Sequence, residues 1–117
     1  MNWIPLQTAE QLTELEALSH QQPVLIFKHS TRCSISSTAL ARFERQWKSE
    51  QVGELAPYFL DLIAYRPISA QVAEVFQVQH ESPQLLLIHQ GKCLYHASHF
   101  DISFEAVREA LATLEQA

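Results

Sequence analysis

The chain has 117 residues, which suits one domain around a single core. With 47% hydrophobic and 18% charged residues it is a globular sequence and not a disordered one. Its formal charge is −5 and its eight Lys and Arg are scattered, which gives nucleic-acid binding no support. No apolar run approaches the ~20 residues of a membrane helix. Met1-Asn2-Trp3-Ile4-Pro5 lacks a basic stretch followed by an apolar one, so no signal peptide is expected. The two cysteines, Cys33 and Cys93, make no disulfide framework and fit a reducing cytosol, so a cytoplasmic location is expected. Glycine occurs only at Gly53 and Gly91, which leaves no phosphate-cradling loop.

Trp3-Ile4-Pro5-Leu6 reads as a short strand. Thr8 and Gln11 have capping-box spacing, and Leu12, Leu15 and Leu18 then mark a helix ending near Ser19. Gln21, Gln22 and Pro23 break the chain before Val24-Leu25-Ile26-Phe27, a short buried strand. Ile35, Ala39, Leu40, Phe43 and Trp47 recur at helical spacing, with Arg42, Glu44, Arg45 and Lys48 opposite, and predict a helix to about Glu50. Gly53 marks a turn. Pro57 to Leu62 is a second apolar run, read as a strand, and Arg66-Pro67 reads as a break. Ser69 is then the expected cap of a helix burying Val72, Val75 and Phe76. After Glu81-Ser82-Pro83, Gln84 to His89 predicts a strand covered on both faces. Gln90-Gly91 predicts a tight turn into a partner strand from Lys92 to His96. Asp101 or Ser103 caps a last helix carrying Phe104, Val107, Leu111 and Leu114 on one face. The order β-α-β-α-β-α-β-β-α is that of a single α/β domain over residues 1–117, with βαβ crossovers, parallel pairs, helices on both faces of a mixed sheet, and an antiparallel hairpin at one edge.

Lys28-His29-Ser30-Thr31-Arg32-Cys33-Ser34-Ile35-Ser36 joins the buried strand to the amphipathic helix. Cys33 is thus placed at a strand end, where open α/β sheets bind ligands, and at a helix N-terminus, where unpaired N–H groups and the helix dipole favour an anion. A thiolate is such an anion. The polar flank His29, Ser30, Thr31 and Arg32 speaks against burial of the cysteine, and Ser30 or Thr31 is available to cap the helix. Cys33 is the candidate nucleophile. Thr31, Arg32, Ser34 and Ser36 are its expected support, and Arg32, Lys28 and His29 are candidate sources of positive charge near it. Ser36 either donates to the Cys33 thiolate one turn away or bonds a preceding helix carbonyl. Cys93 alternates with Leu94 and Tyr95 and reads as a small core or edge residue, too far from Cys33 to bridge it. His80, His89, His96 and His99 show no paired metal-ligand spacing, and His96-x-x-His99 reads as a loop, so no metal is expected.

The element order, the cysteine at the central strand-to-helix turn and Ser82-Pro83 before the next strand resemble the thioredoxin superfamily. Within it, His29-Ser30-Thr31-Arg32-Cys33-Ser34-Ile35-Ser36 resembles the monothiol bacilliredoxins, the bacillithiol-system YtxJ-like proteins, whose single cysteine is followed two residues later by Ile-Ser. The resemblance implies a thioredoxin-like fold and a cis Pro83 opposite Cys33, with the backbone of Ser82 pairing to an extended substrate segment. Two departures from dithiol thioredoxins agree with each other. Ser36 stands where those proteins carry a resolving cysteine. Phe27 stands where they bury an Asp that helps deprotonate it.

The resemblance further implies a monothiol thiol–disulfide oxidoreductase that removes bacillithiol, or a similar low-molecular-weight thiol, from mixed disulfides on client proteins. It implies that thiol as co-substrate, no tightly bound cofactor, and S-thiolated proteins as partners. Two other readings stand beside it. One is a non-catalytic redox sensor or protein-binding module using the Ser82-Pro83 edge. The other is a glutaredoxin-like iron–sulfur carrier, whose Cys-Gly-Phe-Ser motif shares only its ends with Cys33-Ser34-Ile35-Ser36.

Overall fold

The computed structural model describes residues 1–115. Its centre is β2 (Val24–His29), with all six residues buried. Parallel to it on one side lies β3 (Ala56–Asp61), followed by the short edge strand β1 (Ile4–Pro5). On its other side β4 (Gln84–His89) runs antiparallel, and β5 (Lys92–Ser98) closes that edge, giving the order β1-β3-β2-β4-β5. The crossover from β3 to β4 therefore does not yield the parallel pair that the alternation of elements suggested. Periodicity reports which face a strand buries and carries no sign for its direction.

Side chains alternate across β2 and serve two cores. Val24 and Ile26 pack with Leu12 and Leu15 of α1 (Ala9–Leu18) and with Ile68, Val72 and Phe76 of α3 (Arg66–Phe76). Leu25 and Phe27 pack with Ala39 and Phe43 of α2 (Ser34–Gln46) and with Phe104, Val107 and Leu111 of α4 (Phe104–Glu115). Each fully buried side chain of this kind contributes about 1.5–3 kcal/mol against exposure.

The local chemistry explains most boundaries. Thr8 Oγ1 accepts from Gln11 N–H while the Gln11 side chain accepts from Thr8 N–H, a complete capping box for α1. Ser103 Oγ accepts from Ala106 N–H and caps α4, whereas Asp101 lies in a preceding 3-10 turn, His99–Asp101. Gln90 and Gly91 both have positive φ, 53° and 74°, as a two-residue hairpin turn requires. Other boundaries differ from the sequence reading. Arg66-Pro67 opens α3 and does not break the chain, because the first helical turn needs no N–H from proline. Ser69 is consequently a buried helix residue and not a cap. α3 buries Ile68, Val72 and Phe76 at i, i+4 and i+8, which turns Val75 out to solvent. α2 ends at Gln46, with Trp47 as its extended C-cap, and a separate 3-10 turn covers Ser49–Gln51.

Candidate functional site

Sheet pairing carries β2 two residues beyond its apolar run. Lys28 pairs with Leu60 and Gln84, and His29 with Asp61. The ladder continues because backbone groups need partners wherever the strand is enclosed, whatever the side chain. This corrects the expectation of a solvated cationic flank: Lys28, His29 and Ser30 are all buried. Period two sends Lys28 and His29 to opposite faces. The Lys28 ammonium turns toward α3, where it donates to Ser69 O at 3.1 Å and meets His80 Nδ1 at 3.3 Å. Burial lowers its pKa to about 8. Burial and the Lys28 charge lower that of His80 as well. Lys28 thus serves the other face of the sheet.

His29 turns toward α2. Its Nδ1 lies 2.7 Å from Ser36 Oγ, and its ring packs on Phe59 at 5.6 Å. Burial lowers its pKa more than Asp61 and Glu44 raise it, so it is neutral at neutral pH rather than a source of charge. Ser36, fully buried, also accepts Ser30 N–H at 2.9 Å. Neither bond expected for Ser36 is the one it makes: it ties the strand end to the first turn of α2. The sign available in the sequence was the spacing of Phe27 and His29, which places the imidazole on the face covered by the helix.

Between these buried groups the chain turns outward. Thr31, Arg32 and Ser34 are exposed, and Cys33 is half-exposed. Arg32 is the cation that remains on the turn. Cys33 itself, at φ −123° and ψ 120°, occupies the N-cap of α2, so neither Ser30 nor Thr31 caps the helix. No side chain caps it, and no acidic residue stands in its first turn. Cys33 thus holds the residue position next to the unpaired N–H groups of the first helical turn, and its sulfur makes no capping bond to them. Ile35, expected on the apolar face, is instead exposed beside it.

The peptide bond Ser82-Pro83 is cis. Since Lys28 pairs with Gln84 in an antiparallel ladder, Pro83 and Ser82 continue alongside His29 and Ser30, at the same sheet end as Cys33. The Gln84 side chain holds the loop before it, donating to Gln79 O at 3.0 Å, and Pro83 O accepts His99 N–H at 3.1 Å. Sequence reading missed this bracing of the loop.

Cys93 lies at the far end. It pairs with Ile88, which pairs with Val24 at the start of β2. From Val24 to His29 the strand spans about 17 Å, against Cα separations of some 4.4–6.8 Å for a disulfide. Cys93 Sγ donates to Tyr95 O at 3.4 Å, and burial pushes the thiol pKa up. His96 lies in β5 and His99 in the 3-10 turn after it, not in a loop. Among the described residues no three His, Cys, Asp or Glu side chains group as metal ligands, and no helix is long and apolar enough to cross a membrane.

The family model described as monothiol bacilliredoxin BrxC matches residues 4–107. Among solved structures, a thioredoxin-fold protein of proposed oxidoreductase activity is 26% identical, with 92% of this chain and 91% of that chain covered and a TM-score of 0.73. The thioredoxin of Trypanosoma brucei brucei is 14% identical, with 99% and 93% covered and a TM-score of 0.74. The thioredoxin of Malassezia sympodialis is 13% identical, with 96% and 90% covered and the same TM-score. The fold is that of thioredoxin.

Proposed function

We propose a reaction for this chain, which belongs to the monothiol bacilliredoxin family, in which Cys33 is the sole exchanging thiol. Family and fold together make the protein a thiol oxidoreductase. The finer reading is that it removes bacillithiol, or a similar low-molecular-weight thiol, from capped client proteins. The observation that carries it is the isolation of Cys33. The residue stands half-exposed at a helix N-terminus, Ser36 occupies the resolving position, and Cys93 lies at the opposite sheet end.

The Cys33 thiolate attacks the cap's sulfur in the client's mixed disulfide. A new disulfide forms between Cys33 and the cap, the old one breaks, and the client leaves as a thiolate. A second low-molecular-weight thiolate then attacks the cap's sulfur, releasing the small disulfide and restoring Cys33. With no second protein thiol in reach, no internal disulfide competes. Ser82 backbone, beside Pro83, pairs with the client's extended segment by strand addition. Exposed Arg32 faces the anionic cap, and Thr31 and Ser34 flank it. The reaction needs no tightly bound cofactor, and a reducing cytoplasm supplies the thiol.

The test is multiple-turnover release of bacillithiol from a capped client with free bacillithiol in excess. Wild type and Cys93→Ser are expected to restore many clients per molecule and Cys33→Ser none, because an alcohol has negligible anion at neutral pH. One client per molecule would favour a sensor. Equal loss from both substitutions would require two cysteines.

A further inference from the structure

The bonds around Ser36 bear on how Cys33 is controlled, an inference that rests on Cys33 being the exchanging thiol. A hydroxyl has one proton and two lone pairs. Ser30 N–H can only donate, so it occupies one lone pair of Ser36 Oγ. Among the described residues, His29 Nδ1 is the acceptor within bonding distance of the remaining proton. Neutral His29 therefore accepts that proton at Nδ1 and carries its own on Nε2. Protonation of the imidazole reverses the bond. Nδ1–H then donates, Ser36 Oγ accepts twice, and the hydroxyl proton must turn elsewhere. Ser36 is the third residue of α2 and Cys33 its N-cap. The two residues thus hold the N-cap and N3 positions of a capping box, one helical turn apart.

We propose that His29 is a positioning residue for Cys33: protonated at Nδ1, it releases the Ser36 hydroxyl to donate to the Cys33 thiolate, and neutral, it withholds that donor. The groups facing His29 are Asp61, its partner on β3, and Glu44 on α2, both favouring the cation. Burial, which includes the Phe59 ring, opposes them and prevails. Lys28 points to the other face. His29 is thus neutral at neutral pH and charges on acidification, where thiols otherwise lose their anion. The arrangement extends Cys33 reactivity toward acid.

The experiment measures iodoacetamide alkylation of Cys33 from about pH 5 to 8, in a Cys93→Ser background so that one thiol reports. Wild type is expected to lose about two- to fivefold less rate on acidification than Ser36→Ala or His29→Asn, a hydrogen bond's worth tempered by the lower nucleophilicity of a stabilised thiolate. Asn keeps a polar partner for Ser36 but does not titrate, so a merely structural role would leave its pH profile unchanged. Superimposable profiles overturn the proposal. Nitrogen-15 NMR of the unsubstituted chain at neutral pH is the second readout: an Nε2–H tautomer at His29 is expected, and Nδ1–H overturns the proposal. Neither readout involves bacillithiol, so failure of the exchange reaction and failure of this coupling are separate results.

Discussion

The two ends of the central sheet each hold one cysteine; both are half-exposed, and their surroundings differ. Past the last residue of β2, Cys33 stands at the N-cap position of a helix, half-exposed, with no carboxylate in the first turn. Near the other end, Cys93 Sγ donates to Tyr95 O and burial keeps the thiol protonated. The same contrast runs through the protein around them. Of the seven buried polar or charged residues among those described, only Ser19 lies at the Cys93 end; Lys28, His29, Ser30, Ser36, Ser69 and Gln84 gather at the Cys33 end. Buried polar groups cost stability unless fully bonded, so their gathering at one sheet end points to a site and not to packing. There they hold the turn while leaving the thiol outside.

The largest effect that sharpens this contrast concerns Lys28. An unfolded lysine titrates at 10.5 and the folded one at about 8, so between those values the unfolded chain binds more protons and stability rises with pH. The full rise is roughly 3 kcal/mol. Denaturant titrations of Lys28→Met should lack it and show a gain of about 1–3 kcal/mol at neutral pH. A pH profile matching wild type would mean that Lys28 is not held as a buried ammonium. Next comes Ser36→Ala, expected to lose about 1–3 kcal/mol by leaving Ser30 N–H unpaired, while Cys93→Ser at the other end loses less than about 1. Equal losses would erase the difference between the ends. Third, native Cys33 should alkylate at least about tenfold faster than Cys93 at neutral pH, a ratio that collapses in denaturant. The smallest effect is Ser34→Glu. Its carboxylate near the helix N-terminus should add about 0.3–1 kcal/mol of stability and slow Cys33 alkylation by a few-fold. Faster alkylation would show that the helix field is not what favours the thiolate.

Much of this was legible in the residues, for identifiable reasons. Thr8 and Gln11, Gln90-Gly91 and Ser103 act locally, so spacing alone announces them. Cys33 was found because an apolar strand and an amphipathic helix bracket it. Less legible were features set by distant partners. The strand continues through Lys28 and His29 because β3 and β4 pair with it, which no hydropathy window reports. The bond from Ser36 to His29 needs the crossing of α2 over β2. Ile35 and Val75 lie at the margins of their helical stripes, where the neighbouring layer decides burial.

The central claim is that Cys33 exchanges alone. Its most direct test is to mix the protein with a bacillithiol-capped client, trap thiols with acid and map the adducts by mass spectrometry. The account predicts bacillithiol on Cys33, free Cys93 and a client returned to its thiol. Bacillithiol on Cys93, or an internal Cys33–Cys93 disulfide, would contradict it.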